Sequence, residues 1–266
     1  MNNLFLTGPI QVGKSTLIRK GLAPWLEMDP TPVGGFSCQR ILLDGSDKTI
    51  AFRLGSAAEP IEVSGTFRDV LLASNVFKAF NKDGSVYVDN SVFNTMGVLY
   101  MLDAASGWLR YSGDPKNGSG ARQLDQSASK FKIMLLDEIG GHDLICERFF
   151  DVLMQLLTSD VPCIGVLKSQ ASVARMTKNM AQKSHAKAME AALILERNKM
   201  LHDLIGGKNL IDNEQASNGR QETSLGQEDN QKIAGDSGDS LIWVEGNDES
   251  RSQALEQIQT FLQDHL

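Results

Sequence analysis

The stretch Gly8-Pro9-Ile10-Gln11-Val12-Gly13-Lys14-Ser15-Thr16 constrains this chain more than any other. It follows a short apolar run, Leu4-Phe5-Leu6, and opens a helix-like segment, Leu17-Ile18-Arg19-Lys20-Gly21-Leu22. The spacing is a complete G-x-x-x-x-G-K-[ST] phosphate loop between a strand and a helix. Gly8 and Gly13 let the backbone turn tightly enough to aim successive N–H groups at an anion. The helix after the loop offers its unsatisfied N–H groups and positive dipole end to the same place. Lys14 is then expected to reach the β- and γ-phosphates, and Ser15 to ligate Mg2+. Residues 8–16 as a whole form the expected nucleotide cradle, and the chain is expected to bind a nucleoside triphosphate.

Such a cradle needs an acidic partner for its metal. Phe131-Lys132-Ile133-Met134-Leu135-Leu136-Asp137-Glu138 is a continuous apolar run ending in two acids. Buried parallel strands look like this, without alternation. An acid at the carboxyl end of such a strand lies in the crevice where α/β sheets bind ligands. Asp137 therefore fits a metal-holding role beside Ser15, and Glu138 fits the base that orients an attacking water.

Composition sets the outer bounds. The 266 residues allow one large α/β domain, and 41% hydrophobic with 22% charged residues is ordinary for a globular chain. A net charge of −7 argues against a nonspecific nucleic-acid or anionic-membrane surface. The nucleotide site must then be locally positive within an acidic protein. Cys38, Cys146 and Cys163 are scattered, which fits neither a zinc ribbon nor a disulfide framework and suits a reducing compartment. Met1-Asn2-Asn3 lacks a basic signal-peptide start, so a cytoplasmic location is expected.

Along the chain, Gly34 to Leu43 and Thr49 to Leu54 read as an antiparallel hairpin around Asp44-Gly45, with Ile61-Glu62-Val63 as a short additional strand. The spacing predicts a helix over Phe67–Phe80, and another over Val92–Ala105 with Val92, Met96, Leu99 and Leu102 on its buried side. Residues 107–129, carrying Arg110, Lys116 and Arg122, read as a long loop. A helix over Cys146–Thr158 and a buried strand at Pro162–Leu167 come next, then helical composition from Ala171 to Ile205. Residues from about 206 to 239 are polar and acidic and read as a flexible insertion, before a last strand at Ser240–Glu245 and a closing helix from Ser252. Strand character beyond the insertion makes 1–266 a single expected domain. The fold class expected is a three-layer α/β phosphate-loop fold, its sheet mostly parallel with an antiparallel hairpin.

The order of phosphate loop, Gly35-Phe36 strand, Phe52-Arg53 strand and Asp137-Glu138-Ile139-Gly140 block resembles the THEP1-type nucleoside-triphosphatase family. The resemblance implies Mg2+-dependent hydrolysis of the β–γ bond in ATP, GTP and other triphosphates. It also makes Arg53 a candidate stabiliser of transition-state charge. Two positions depart from the family pattern. The lysine that comes after D-E-I-G there is Gly141 here, and an acidic residue on the first hairpin strand appears as Gln39. A cation and a carboxylate would have to come from elsewhere. Two other readings fit a phosphate loop: a small-molecule or nucleotide kinase, with 107–129 as its lid, and a nucleotide-dependent switch whose 171–239 segment binds a protein.

Overall fold

The computed structural model describes residues 2–106, 130–206 and 239–266. The readings for 107–129 and for most of 206–239 lie outside the described residues. Strand β1 (Asn3–Thr7) runs into the loop and helix α1 (Lys14–Leu26). The hairpin comes next as β2 (Val33–Leu43) and β3 (Thr49–Ser56), then β4 (Glu62–Gly65), α2 (Phe67–Leu72), β5 (Val76–Phe80) and β6 (Val86–Val88). A π turn at Phe93–Gly97 leads into α3 (Val98–Ala105). The remaining elements are β7 (Ile133–Ile139), a 3-10 turn at His142–Ile145, α4 (Glu147–Leu157), β8 (Cys163–Leu167), α5 (Gln170–Ala181), α6 (His185–Gly206), β9 (Ser240–Trp243) and α7 (Asp248–His265).

One mixed sheet carries these strands in the order β6-β5-β3-β2-β7-β8-β1-β9. The β2-β7-β8-β1-β9 portion is parallel, and β3, β5 and β6 add antiparallel pairings. Strand β2 is shared between two neighbours on one edge. Val33 to Phe36 pair with β7, while Arg40 to Leu43 pair in parallel with β4.

The strands alternate between two cores, because successive side chains leave opposite faces. Leu4, Leu6, Ile133, Leu135, Ile164 and Val166 meet Ile18 and Leu22 of α1 and Ile258 and Phe261 of α7. Phe5, Met134, Leu136 and Cys163 meet the other layer, with Met101 of α3, Phe149 and Leu153 of α4 and Leu201 of α6. Both faces of the parallel strands are covered, which is why their sequences read as unbroken apolar runs. This is the three-layer α/β arrangement expected.

Two helical expectations need correction. The helix over 67–80 stops at Leu72, and Val76–Phe80 is a strand. The exposed edge of β3 decides this. Leu54 N–H donates to Asn75 O at 2.9 Å, and Phe77 packs against Phe52 and Phe93 with ring centres 6.4 and 5.0 Å away. Pairing a bare edge outweighs the weak helical spacing. In the second case, the π turn adds a residue ahead of α3 and rotates that helix by roughly 100°. Val98, Met101, Ala104 and Ala105 are therefore buried, while Leu99 and Leu102 are 56% and 37% exposed. The segment from 171 to 205 is helical as expected, in two pieces, α5 and α6, with the Ser184 hydroxyl accepting from Lys187 N–H at 3.2 Å at the restart.

Gly35 joins the hairpin to the parallel sheet. It has φ +93°, and a Cβ there would lie 2.2 Å from Leu135 O, a backbone atom of the neighbouring strand. Gly35→Ala is expected to destabilise the fold by at least ~3 kcal/mol. Gly45→Ala, at a turn with open space around it, should cost only about 1 kcal/mol. Urea unfolding of both variants is the check, and equal losses would refute the close-approach account.

Candidate functional site

The loop keeps its shape through backbone conformations that side chains disfavour. Gly8 and Gly13 have φ +131° and +89°, and Gln11 adopts +66°. A Cβ on Gly8 would meet Val244 O at 2.3 Å, because the residue after β9 packs against the loop. Arg251 of α7 adds a bond from Nε to Val12 O at 3.3 Å. Helix α1 starts at Gly13 with no side-chain cap and no acid in its first turn, so its N–H groups are left for an anion. Lys14 Nζ donates to Gly8 O at 3.1 Å and to Pro9 O, folding back over the loop it would serve. Pro9, Ile10, Gln11 and Thr16 line the exposed rim, with Ile10 67% exposed, while Val12 is buried beneath.

Strand β8 separates β1 from β7 in the sheet. The first turn of α1 nevertheless crosses that gap. Ser15 Oγ donates to Asp137 Oδ1 at 2.7 Å. Asp137 is 3% exposed. Burial, and then the neighbouring Glu138 carboxylate, push its pKa up to about 6, against the stabilising Ser15 bond. Among the described residues, no group of three or more His, Cys, Asp or Glu forms a metal cage. Two hard oxygens beside a phosphate cradle suit Mg2+, which keeps most of its waters and takes its other ligands from phosphates.

Glu138 is the residue after, with φ +69° and a side chain 43% exposed toward the site. Beyond it, Asp143 folds the turn by accepting from Gly140 N–H at 2.9 Å and Gly141 N–H at 2.6 Å. Burial raises the pKa of Asp143, and Lys168 and these N–H groups oppose the rise.

Arg53, by contrast, is not bonded to the loop, Asp137 or Glu138 among the described residues. Its Nε donates to Gln39 Oε1 at 2.6 Å and its Nη2 lies 3.3 Å from Glu59 Oε2. Glu59 also accepts from Gln39 Nε2 at 3.3 Å. The carboxylate that the sequence lacks at position 39 thus stands beside it, supplied from the segment after β3.

Sequence reading missed the other cations. Arg19 lies one turn on from Ser15, and its Nε and Nη2 are buried without a hydrogen-bond partner among the described residues. Burial lowers its pKa, while Asp137 and then Glu59 favour its charge. Lys168, directly after β8, donates from Nζ to Glu138 O at 3.1 Å and lies 3.6 Å from Glu138 Oε1. Only the place of Lys168 at a strand end, and of Arg19 one turn beyond Ser15, could have singled them out in the sequence. A separate cleft of about 430 Å³ lies between the β5–β6 hairpin and the α5–α6 turn, lined by Lys78, His142, Lys183 and Lys187 together with Val86, Val88 and Met176. The cysteines stay out of the chemistry: burial raises all three thiol pKa values, Cys146 to about 11.

Residues 3–104 match the family model described as NTPase. No curated protein and no solved structure matches the chain. The matched stretch holds the phosphate loop and the β2–β3 hairpin, and β7 brings Asp137 and Glu138 to that loop from outside it. Over that stretch the chain is similar to the nucleoside-triphosphatase family, hydrolases built on a phosphate loop.

Proposed function

We propose that the protein hydrolyses nucleoside triphosphates to diphosphate and phosphate, with Mg2+ and with little selectivity among bases, as a single domain. The observation that carries this reading is the 2.7 Å bond from Ser15 to Asp137 at the mouth of the phosphate loop. It joins the two oxygens that would hold Mg2+ to the N–H groups that would hold the phosphates. Bound there, the ion would neutralise charge between the β- and γ-phosphates.

The chain's own residues supply the rest. Loop N–H groups and Lys14 gather the phosphate oxygens, and Lys14 exchanges its bonds to Gly8 O and Pro9 O for them. Glu138, next to Asp137 and partly exposed, accepts a proton from the attacking water and orients it. Arg19 keeps Asp137 and Glu59 company as a fixed positive charge. Arg53, held by Gln39 and Glu59, would have to exchange those bonds to serve as an electrostatic stabiliser of the transition state. Loose base selectivity fits a sequence with no N-K-x-D guanine motif. Scattered free cysteines fit work in the reducing cytoplasm. Among the described residues, no helix is long and apolar enough to cross a membrane.

Phosphate release from ATP, GTP, CTP and UTP is the test. Glu138→Gln should keep nucleotide binding and lower kcat by at least ~10²-fold with every base. Lys14→Ala should abolish tight binding of all four. Chelation of Mg2+ with EDTA should stop release, and added Mg2+ should restore it. Near-normal turnover in Glu138→Gln would remove that residue as the base, and release from one triphosphate alone would refute broad selectivity.

A further inference from the structure

Lys168 is anchored more heavily than a surface lysine needs to be. Its N–H donates to Ile139 O at 2.9 Å. Its carbonyl accepts from Asn198 Nδ2 at 3.1 Å and from His202 Nε2 at 3.0 Å. Asn198 and His202 are 1% and 3% exposed on α6, so two buried polar side chains fix the root of this one lysine. Burying such groups is costly unless they are bonded, and here their bonds converge on one carbonyl.

From that root the side chain reaches Glu138 at both its carbonyl and its carboxylate. The turn after β7 leaves room for it: a Cβ on Gly141 would lie 3.2 Å from both Cδ and Cε of Lys168. Glu138 sits in the left-handed region, which non-glycine residues hold only when their surroundings enforce it. The bond from Lys168 to its carbonyl is part of that enforcement. Burial works against the ammonium, and Glu138 and Asp143 offset it so that its pKa is raised.

Contacts place the ammonium near the cradle: Ser15, next to Lys14, bonds Asp137, and the adjacent Glu138 is the residue that Lys168 holds. Like charges held together favour an anion between them. The Lys168 side chain is 28% exposed and flexible enough to exchange partners.

We propose that Lys168 reads the third phosphate: it restrains Glu138 through the pair described, and on triphosphate binding it turns to the terminal phosphate and releases the Glu138 carboxylate. The ligand's identity rests on the hydrolase reading above. The effect itself is on binding and does not require turnover. A diphosphate lacks the group that draws Lys168 away, so it leaves the pair with Glu138 intact.

The test is affinity for a non-hydrolysable triphosphate analogue and for the matching diphosphate, both with Mg2+. Lys168→Met should weaken the triphosphate by at least ~10-fold and the diphosphate by no more than ~2-fold. Lys168→Arg, which keeps the cation, should retain most of the triphosphate preference. Equal weakening of both ligands, or none, would overturn the proposal. Glu138→Gln removes the competitor for Lys168 and should tighten the triphosphate by at least ~3-fold. That gain should vanish in the Lys168→Met/Glu138→Gln double variant, and its persistence there would also overturn the proposal. A protein with the expected affinity ratios that releases no phosphate would refute the hydrolase reading alone. A normal hydrolase with an unchanged ratio in Lys168→Met would refute only the role of Lys168.

Discussion

The contact between Ser15 and Asp137 depends on most of the parallel sheet. The two residues stand on elements separated by β8, so the 2.7 Å distance needs β1, β8 and β7 in register and α1 docked above them. Leu4, Leu6, Ile18 and Leu22 set α1 on the sheet, and Ile258 and Phe261 close over it from α7. Because α7 also bonds Val12 O through Arg251, the end of the chain secures its beginning. The site is assembled by elements far apart in the chain, although its motif occupies nine consecutive residues.

Electrostatics in this site work by opposition. Buried Asp137 is costly to ionise, and the Ser15 hydroxyl and then the Arg19 charge offset part of that cost. Two cations are in turn restrained within the protein itself: Lys14 by its own loop and Lys168 by Glu138. A site prepared in this way avoids both an uncompensated buried charge and an unstructured one. Binding of an anion then replaces existing contacts, so selectivity depends on which contacts are exchanged.

The residues legible from the sequence are those whose chemistry is local. Gly8 to Thr16 carry their own turn, and the apolar run into Asp137-Glu138 declares a buried strand and its useful end together. The hairpin was legible from its turn residues. Val76–Phe80 and the stripe on α3 escaped because the open edge of β3 decides the first and a single π turn rotates the second. Lys168 and Glu59 escaped for a related reason. They stand beside Gly141 and Gln39 in space, but 27 and 20 residues away in sequence, and no local pattern links them. Asn198 and His202 read as ordinary polar residues of a helix, and only the docking of α6 seats them against Lys168 O.

Strand β2 has a structural consequence of its own. Its first part is held by β7 and its last part by β4, with Gly35 pressed against Leu135 between the two. Mechanically it is a beam held near both ends, and between them Cys38 Sγ donates to Asp137 O at 3.4 Å. A bend in that beam would therefore be felt at the acid beside the phosphate loop.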